Sequence, residues 1–362
     1  MVNRTWVPCS FALVAICGCG SSNASSSPGD AGDEGLVPPA SPNGPKTSVA
    51  AQHAYAIHRL YLGSSARVYP PVLDPTAWAS YGYDLDGKTT TATSTDVCTP
   101  YAGAPAASQV DGTRGIDNSF GENIVPIMVT VAGNNVEMTV DGSINAGDFT
   151  DLFVVTGWDD ANVAQTATAL SAVVLVGNKY PTMPSWTTSD HWPIDDGYLG
   201  PSALGTAPIA NANLKLSTSY VVGGEFVSGS RVDVPIDLEL GGHSLPLVVH
   251  QGIITWQNDG TGHINQGTIA GVLTTAEFVS AAAGSATDDG SLCEPMGPAT
   301  ITSQLLLASD ILHDGTNVPG VPCDGISIGL GFDADEVAIP VAADVAAAPP
   351  ALPDLCSTDA GD

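Results

Sequence analysis

Apolar and polar residues alternate along Val234-Pro235-Ile236-Asp237-Leu238-Glu239-Leu240, and Gly241-Gly242 then turns the chain into Leu245-Pro246-Leu247-Val248-Val249. A period of two puts successive side chains on opposite faces of a strand. A glycine turn between two such runs reads as a hairpin. Short runs of this kind recur, separated by Gly, Asn, Asp and Pro, at residues 54–62, 124–131, 136–140, 151–155, 172–176, 214–222, 268–273 and 326–332, with an edge strand at 336–341. Helical signals are few. Residues 275–283 begin at a Thr275 cap with Glu277 in the first turn and stop at Gly284. Residues 299–313 set Ile301, Leu305, Ile311 and Leu312 near one face, ending at Asp314-Gly315. This pattern predicts an antiparallel all-β domain, a jelly-roll-like sandwich or a barrel, with one or two short helices on loops.

Arg4, an apolar run over residues 6–16 and the Gly18-Cys19 pair resemble a bacterial lipoprotein signal. The apolar run is too short to span a bilayer. Residues 1–18 then form the signal peptide, and Cys19 is the lipidated residue. The chain continues Gly20-Ser21, without the Asp that retains such proteins at the inner membrane, so the resemblance implies an outer-membrane or surface location. Residues 19–48, rich in Ser, Gly, Pro and Asp, read as a disordered tether with a span of roughly 30 Å. Residues 49–341 form one β-rich domain, and residues 342–362 an Ala/Pro/Asp-rich tail.

Acidic residues number 38 against 9 Lys and Arg, for a net charge of −29. Such a chain repels phosphate backbones, which excludes nucleic acid as a partner, and cations are its natural electrostatic complement. With Cys19 lipidated, Cys98, Cys293, Cys323 and Cys356 remain in the exported chain. An oxidising compartment pairs them into two disulfides, with three pairings open. Cys293–Cys323 would enclose the predicted helix 299–313, leaving Cys98–Cys356 to tie the tail to the early domain.

Two acidic loops carry the best candidate chemistry. Asp84-Leu85-Asp86-Gly87 sets two carboxylates on one side of an extended segment, and Asp111-Gly112-Thr113-Arg114-Gly115-Ile116-Asp117-Asn118 repeats the theme. Calcium takes six to eight oxygens. Asp84, Asp86, Asp111, Asp117 and Asn118 would supply five side chains, though the spacing is not that of an EF-hand. The competing reading is that Asp, Asn and Gly make turns through side-chain hydrogen bonds. Tyr180, Trp186, Trp192 and Tyr198 lie in a Pro-rich segment with Asp190, Asp195 and Asp196. Rings beside carboxylates suit sugar binding, or else pack a long loop onto the sheet. Gly325-Ile326-Ser327-Ile328-Gly329 matches the G-x-S-x-G pattern, but no helix signal follows and no His lies downstream, so it reads as a strand. The seven histidines form no zinc signature.

Four stretches look like one family. They are residues 78–88 (Trp-Ala-Ser-Tyr-Gly-Tyr-Asp-Leu-Asp-Gly-Lys), residues 94–98 (Ser-Thr-Asp-Val-Cys), residues 111–121 and residues 323–332 (Cys-Asp-Gly-Ile-Ser-Ile-Gly-Leu-Gly-Phe). The set resembles uncharacterised acidic outer-membrane lipoproteins of predatory, gliding Gram-negative bacteria. That resemblance implies export and one continuous domain, and it brings no activity with it. The sequence thus leads to a surface-anchored lipoprotein presenting a β-rich binding or structural domain, calcium-stabilised, with a glycan or a surface protein as partner. A glycan-binding module and an envelope hydrolase are the alternatives.

Overall fold

A computed structural model of the chain describes residues 35–47, 49–132, 136–201, 204–240, 243–288 and 297–348. The signal segment, Cys19, Cys293 and Cys356 lie outside these residues.

The strands are β1 (Gln52–Tyr61), β2 (Ser65–Ala66), β3 (Val72–Leu73), β4 (Thr150–Thr156), β5 (Ser171–Gly177), β6 (Ile194–Asp195), β7 (Leu214–Leu216), β8 (Tyr220–Val222), β9 (Glu225–Val227), β10 (Val232–Leu240), β11 (His243–Asn258), β12 (His263–Thr274), β13 (Gly325–Val337) and β14 (Val345–Ala346). The helices are α1 (Val125–Ala132), α2 (Val136–Ala146), α3 (Pro208–Asn211), α4 (Thr275–Asp288) and α5 (Gly297–Leu307).

β1 is buried on both faces, with Ala54 and Ala56 on one and Tyr55 and Ile57 on the other. It pairs antiparallel with β4 and with β13. From it a single sheet extends in the order β14-β6-β5-β4-β1-β13-β12-β11-β9-β8, with β7 added to β5 and β10 to β11. The β6–β14 pair is parallel, so the sheet is mixed. The expected sandwich is therefore corrected: the domain is one strongly curled half-barrel sheet. Bulges in β11 and β12, where Gln251 and Gln266 take left-handed φ values of 54° and 50°, add local bend and twist.

Helices take the place of a second sheet. Residues 124–131 and 136–140, expected as strands, are helical: Ile124 closes a π-helical turn, and the rest fall in α1 and α2. Their β-branched residues favour strands locally, but Val136, Val140 and Ile144 recur every four residues and bury one helical stripe. That stripe joins Phe153, Trp256, Phe332, Phe278 of α4 and Leu305 of α5 in the main core. Trp256 stacks on Phe226 with ring centroids 3.7 Å apart. On the other face of the sheet, loops cover Leu152, Val154 and Leu175 at one end and Ile253, Ala270 and Val272 at the other.

Other boundaries shift. The 214–222 run divides into β7 and β8, α4 continues past Gly284, and α5 ends at Leu307 so that Ile311 instead bridges to Gly325. β13 takes in Glu336 and Val337 of the expected edge strand and stops there. The compact unit begins at Gly35, well inside the expected tether. Leu36 N–H donates to Arg114 O at 2.8 Å, Asp84 N–H donates to Leu36 O at 2.8 Å, and Tyr220 Oη donates to Pro39 O at 2.6 Å. The start of the expected tail likewise joins the sheet as β14.

The disulfide joins Cys98 to Cys323, with Cα atoms 5.2 Å apart. This replaces both expected pairings, Cys293–Cys323 and Cys98–Cys356. Backbone explains it: Thr99 N–H donates to Val321 O at 2.7 Å and Cys323 N–H donates to Thr99 O at 2.9 Å, so the two segments already lie side by side.

Candidate metal centre

Tyr83 and Leu85 are buried against Ile253, Ala270, Val272 and Ile311, which fixes the 83–86 segment on the sheet. In extended backbone this alternation turns Asp84 and Asp86 away from those anchors. The second loop is stitched to the first. Asp117 N–H donates to Tyr83 O at 3.0 Å, and Leu85 N–H donates to Asp117 Oδ2 at 2.7 Å. Gly115, with φ at 74°, makes the tight approach possible, since a Cβ there would overlap Lys88 O.

The result is that Asp84, Asp86 and Asp117 each place a carboxylate oxygen within 4.8 Å of the others. Asp84 and Asp117 are buried and Asp86 is partly so. Each carboxylate spends one oxygen on the backbone. Asp84 Oδ1 accepts from Gly87 N–H and Lys88 N–H, and Asp86 Oδ1 accepts from Lys88 N–H at 2.8 Å. The turn reading and the metal reading are thus compatible, because the turns use only one oxygen per residue. Asp86 Oδ2 is buried with no hydrogen-bond partner.

The local electrostatics are those of crowded anions. Burial, followed by the charges of Asp86, Asp111 and Asp310, holds Asp117 well above the usual carboxylate range. Burial also raises Asp84, with Asp86 adding to it and Arg231 opposing it. Arg231 Nη2 donates to Leu85 O at 3.2 Å. Lys88 Nζ turns away, donating to Asn317 O at 3.0 Å and pairing with Asp96. A set made only of carboxylate oxygens suits a hard divalent cation.

Two residues expected as ligands have other work. Asn118 Nδ2 donates to Trp78 O, Tyr81 O and Gly329 O, while its Oδ1 accepts from Gly121 N–H and Gly329 N–H. Its hydrogen-bonding capacity is fully used, so it is a packing hub and not a ligand. Asp111 accepts from Thr90 N–H and stands beside the triad, outside its ligand span. Burial, with the nearby charges of Asp86, Asp310 and Asp84, pushes it up to about 8. No local sequence motif marks Asp310. It is buried, accepts from Ser327 N–H at 2.8 Å and from Ser327 Oγ at 2.5 Å, and sits at about 7 through desolvation. Ser327 is itself fully buried and accepts from Ser119 N–H, which confirms a strand residue and rules out an exposed nucleophile.

The aromatic group does not assemble into one exposed platform. Trp192 is fully buried, with Tyr180 and Trp186 packed on it at centroid distances of 4.9 and 5.6 Å. These rings hold their loop on the sheet. Tyr198 stands apart and lines a hollow of about 640 Å³ with Asn213, Lys215 and Asp233.

No protein-family model, curated protein or solved structure matches the chain. Among the described residues, no helix is long and apolar enough to cross a membrane.

Proposed function

We propose that this chain is an exported, lipid-anchored envelope protein whose β-rich domain serves as a binding or structural unit and is stabilised by calcium at Asp84, Asp86 and Asp117. The observation that carries the calcium reading is the convergence of three carboxylates drawn from two loops, one of which, Asp86, keeps a buried oxygen with no hydrogen-bond partner. An acidic chain gains most from a cation where its anions are desolvated together. The Cys98–Cys323 disulfide favours an oxidising compartment. The lipid anchor rests on Cys19 and on the family resemblance of the acidic loops.

Calcium titrated into chelator-treated protein tests the reading. Ligand at a hundred times Kd stabilises by about 2.7 kcal/mol, which raises Tm by roughly 4 °C for a domain of this size. Equal midpoints in chelator and in excess calcium would sink it. So would an unchanged calcium response in the Asp84→Asn, Asp117→Asn double variant.

A second reading, glycan binding, draws on the hollow beside Tyr198, which has the size of a small-ligand site and mixes a ring with amide, ammonium and carboxylate groups. Glycan-array binding that disappears in Tyr198→Ala would support it, and an empty array would remove it.

A further inference from the structure

We propose that His53, Asp160 and Glu336 form a second cation site, of mixed nitrogen and oxygen chemistry, that takes zinc. His53 enters at the start of β1 and Glu336 near the end of β13, on strands held in register by the Tyr55–Glu336 pair. Asp160 comes from the turn after β4. That turn is anchored by buried Trp158, by Asp159 N–H donating to Gln165 Oε1 at 3.0 Å and by Asn258 Nδ2 donating to Asp159 O at 3.1 Å. Three separate, fixed segments therefore deliver the three side chains.

The geometry differs from an ordinary histidine–carboxylate pair. His250 shows the ordinary case: Nδ1 faces Asp233 at 3.0 Å and Nε2 faces Glu277 at 2.6 Å, one acid for each ring N–H. His53 turns both acids to the same nitrogen, with Nδ1 at 2.7 Å from Glu336 Oε1 and 3.8 Å from Asp160 Oδ2. A single N–H points at one acceptor. The second carboxylate then meets a nitrogen with no proton to offer it, beside another anion. Among the described residues, neither Asp160 nor Glu336 forms an ion pair with Lys or Arg.

A metal ion resolves that arrangement, because it binds all three groups at once. Zinc bonds of about 2.0–2.1 Å set tetrahedral ligand–ligand edges at roughly 3.3 Å. The two separations measured from Nδ1 lie on either side of that value, and one ligand atom from each residue falls within 4.8 Å of the others. Imidazole nitrogen selects zinc over calcium. The three side chains keep 14–32% of their surface exposed, which leaves a route in for the ion and a fourth position for water. The inference is independent of calcium at the Asp84 triad.

The test is zinc titration of the chelator-treated full chain by calorimetry, in saturating calcium, with cobalt(II) absorption as a second readout. One zinc equivalent that calcium does not displace is expected. His53→Gln and Asp160→Asn should each weaken it at least tenfold and leave the calcium-dependent Tm shift unchanged. Metal-free melting checks that each variant folds, and Asp160→Asn, on a surface turn, keeps the test open if His53→Gln does not. Zinc should still bind to the Asp84→Asn, Asp117→Asn variant, which separates this site from the triad. No binding at micromolar zinc, undiminished binding in a folded variant, or ready displacement by calcium would overturn the proposal.

Discussion

Gly35 lies against the carboxylate of Asp84 with no room for a Cβ between them. The contact is held by the 2.8 Å hydrogen bonds that tie Leu36 to Asp84 and to Arg114. The N-terminal arm thus forms a wall of the candidate metal centre. Gly35→Ala must push either the arm or the Asp84 side chain aside. The expected outcome is a calcium affinity reduced tenfold or more, with a stability loss of about 1–3 kcal/mol from overpacking. Calorimetry with calcium and urea unfolding in chelator measure the two effects separately. Wild-type values in both would show that the arm plays no part in the site.

The acidic loops were legible in the sequence because their chemistry is local: Asp84 and Asp86 flank one buried Leu85, and Asp117 follows a glycine turn. Their meeting was not, since it depends on a backbone ladder between residues 83–85 and 117. The same gap explains the disulfide. Cys98 and Cys323 are 225 residues apart, and long-range contacts such as the pairing of residue 99 with residue 322 bring them together. Composition misled at the arm, where Pro and Gly imitate a free linker while Leu36 packs on the domain. Val-rich α1 and α2 read as strands because local propensity outweighed the four-residue spacing of Val136, Val140 and Ile144. His53, Asp160 and Glu336 share no local motif at all.

Reduction of the Cys98–Cys323 disulfide should be costly. A closed loop spanning 225 residues constrains the unfolded chain strongly, by about 5 kcal/mol in the chain-entropy picture. The Cys98→Ser, Cys323→Ser double variant should lose a stability of that order in urea, and dithiothreitol should reproduce the loss in the native protein. An unfolding midpoint insensitive to both would mean that the hydrogen bonds around Thr99 hold these segments without the sulfur bridge.

Asn118 makes five hydrogen bonds with backbone groups, two to Gly329 of β13 and three to Trp78, Tyr81 and Gly121. Asn118→Ala leaves buried donors and acceptors unpaired, at about 2–4 kcal/mol. Asn118→Asp should also destabilise, because a carboxylate cannot donate to the carbonyls of Trp78, Tyr81 and Gly329. Neither change removes a calcium ligand, so the calcium-dependent Tm shift should survive wherever the variant folds. Tighter calcium binding by Asn118→Asp would restore the residue to the ligand set.

The buried acids give the metal-free protein an unusual pH dependence. Asp310 is held at about 7 and Asp111 at about 8, the first by desolvation and the second by desolvation and its acidic neighbours. Asp141 at about 6 and Glu122 at about 7 shift in the same direction, also through burial. A carboxyl whose folded pKa is raised binds its proton more tightly when folded. Its contribution is fully present below the unfolded value of about 4 and is lost as pH rises through the folded value. Stability in chelator should therefore fall steadily from about pH 4 to about pH 8, the reverse of a protein whose carboxylates are salt-bridged. Asp310→Asn mimics the protonated acid, since Ser327 N–H can still donate to the amide oxygen, and should flatten part of that slope. Calcium should raise stability most at the alkaline end, where the acids of the centre have given up their protons. Urea midpoints measured across this range, with and without calcium, decide the matter: a metal-free stability that climbs with pH would show that these groups are not buried as acids.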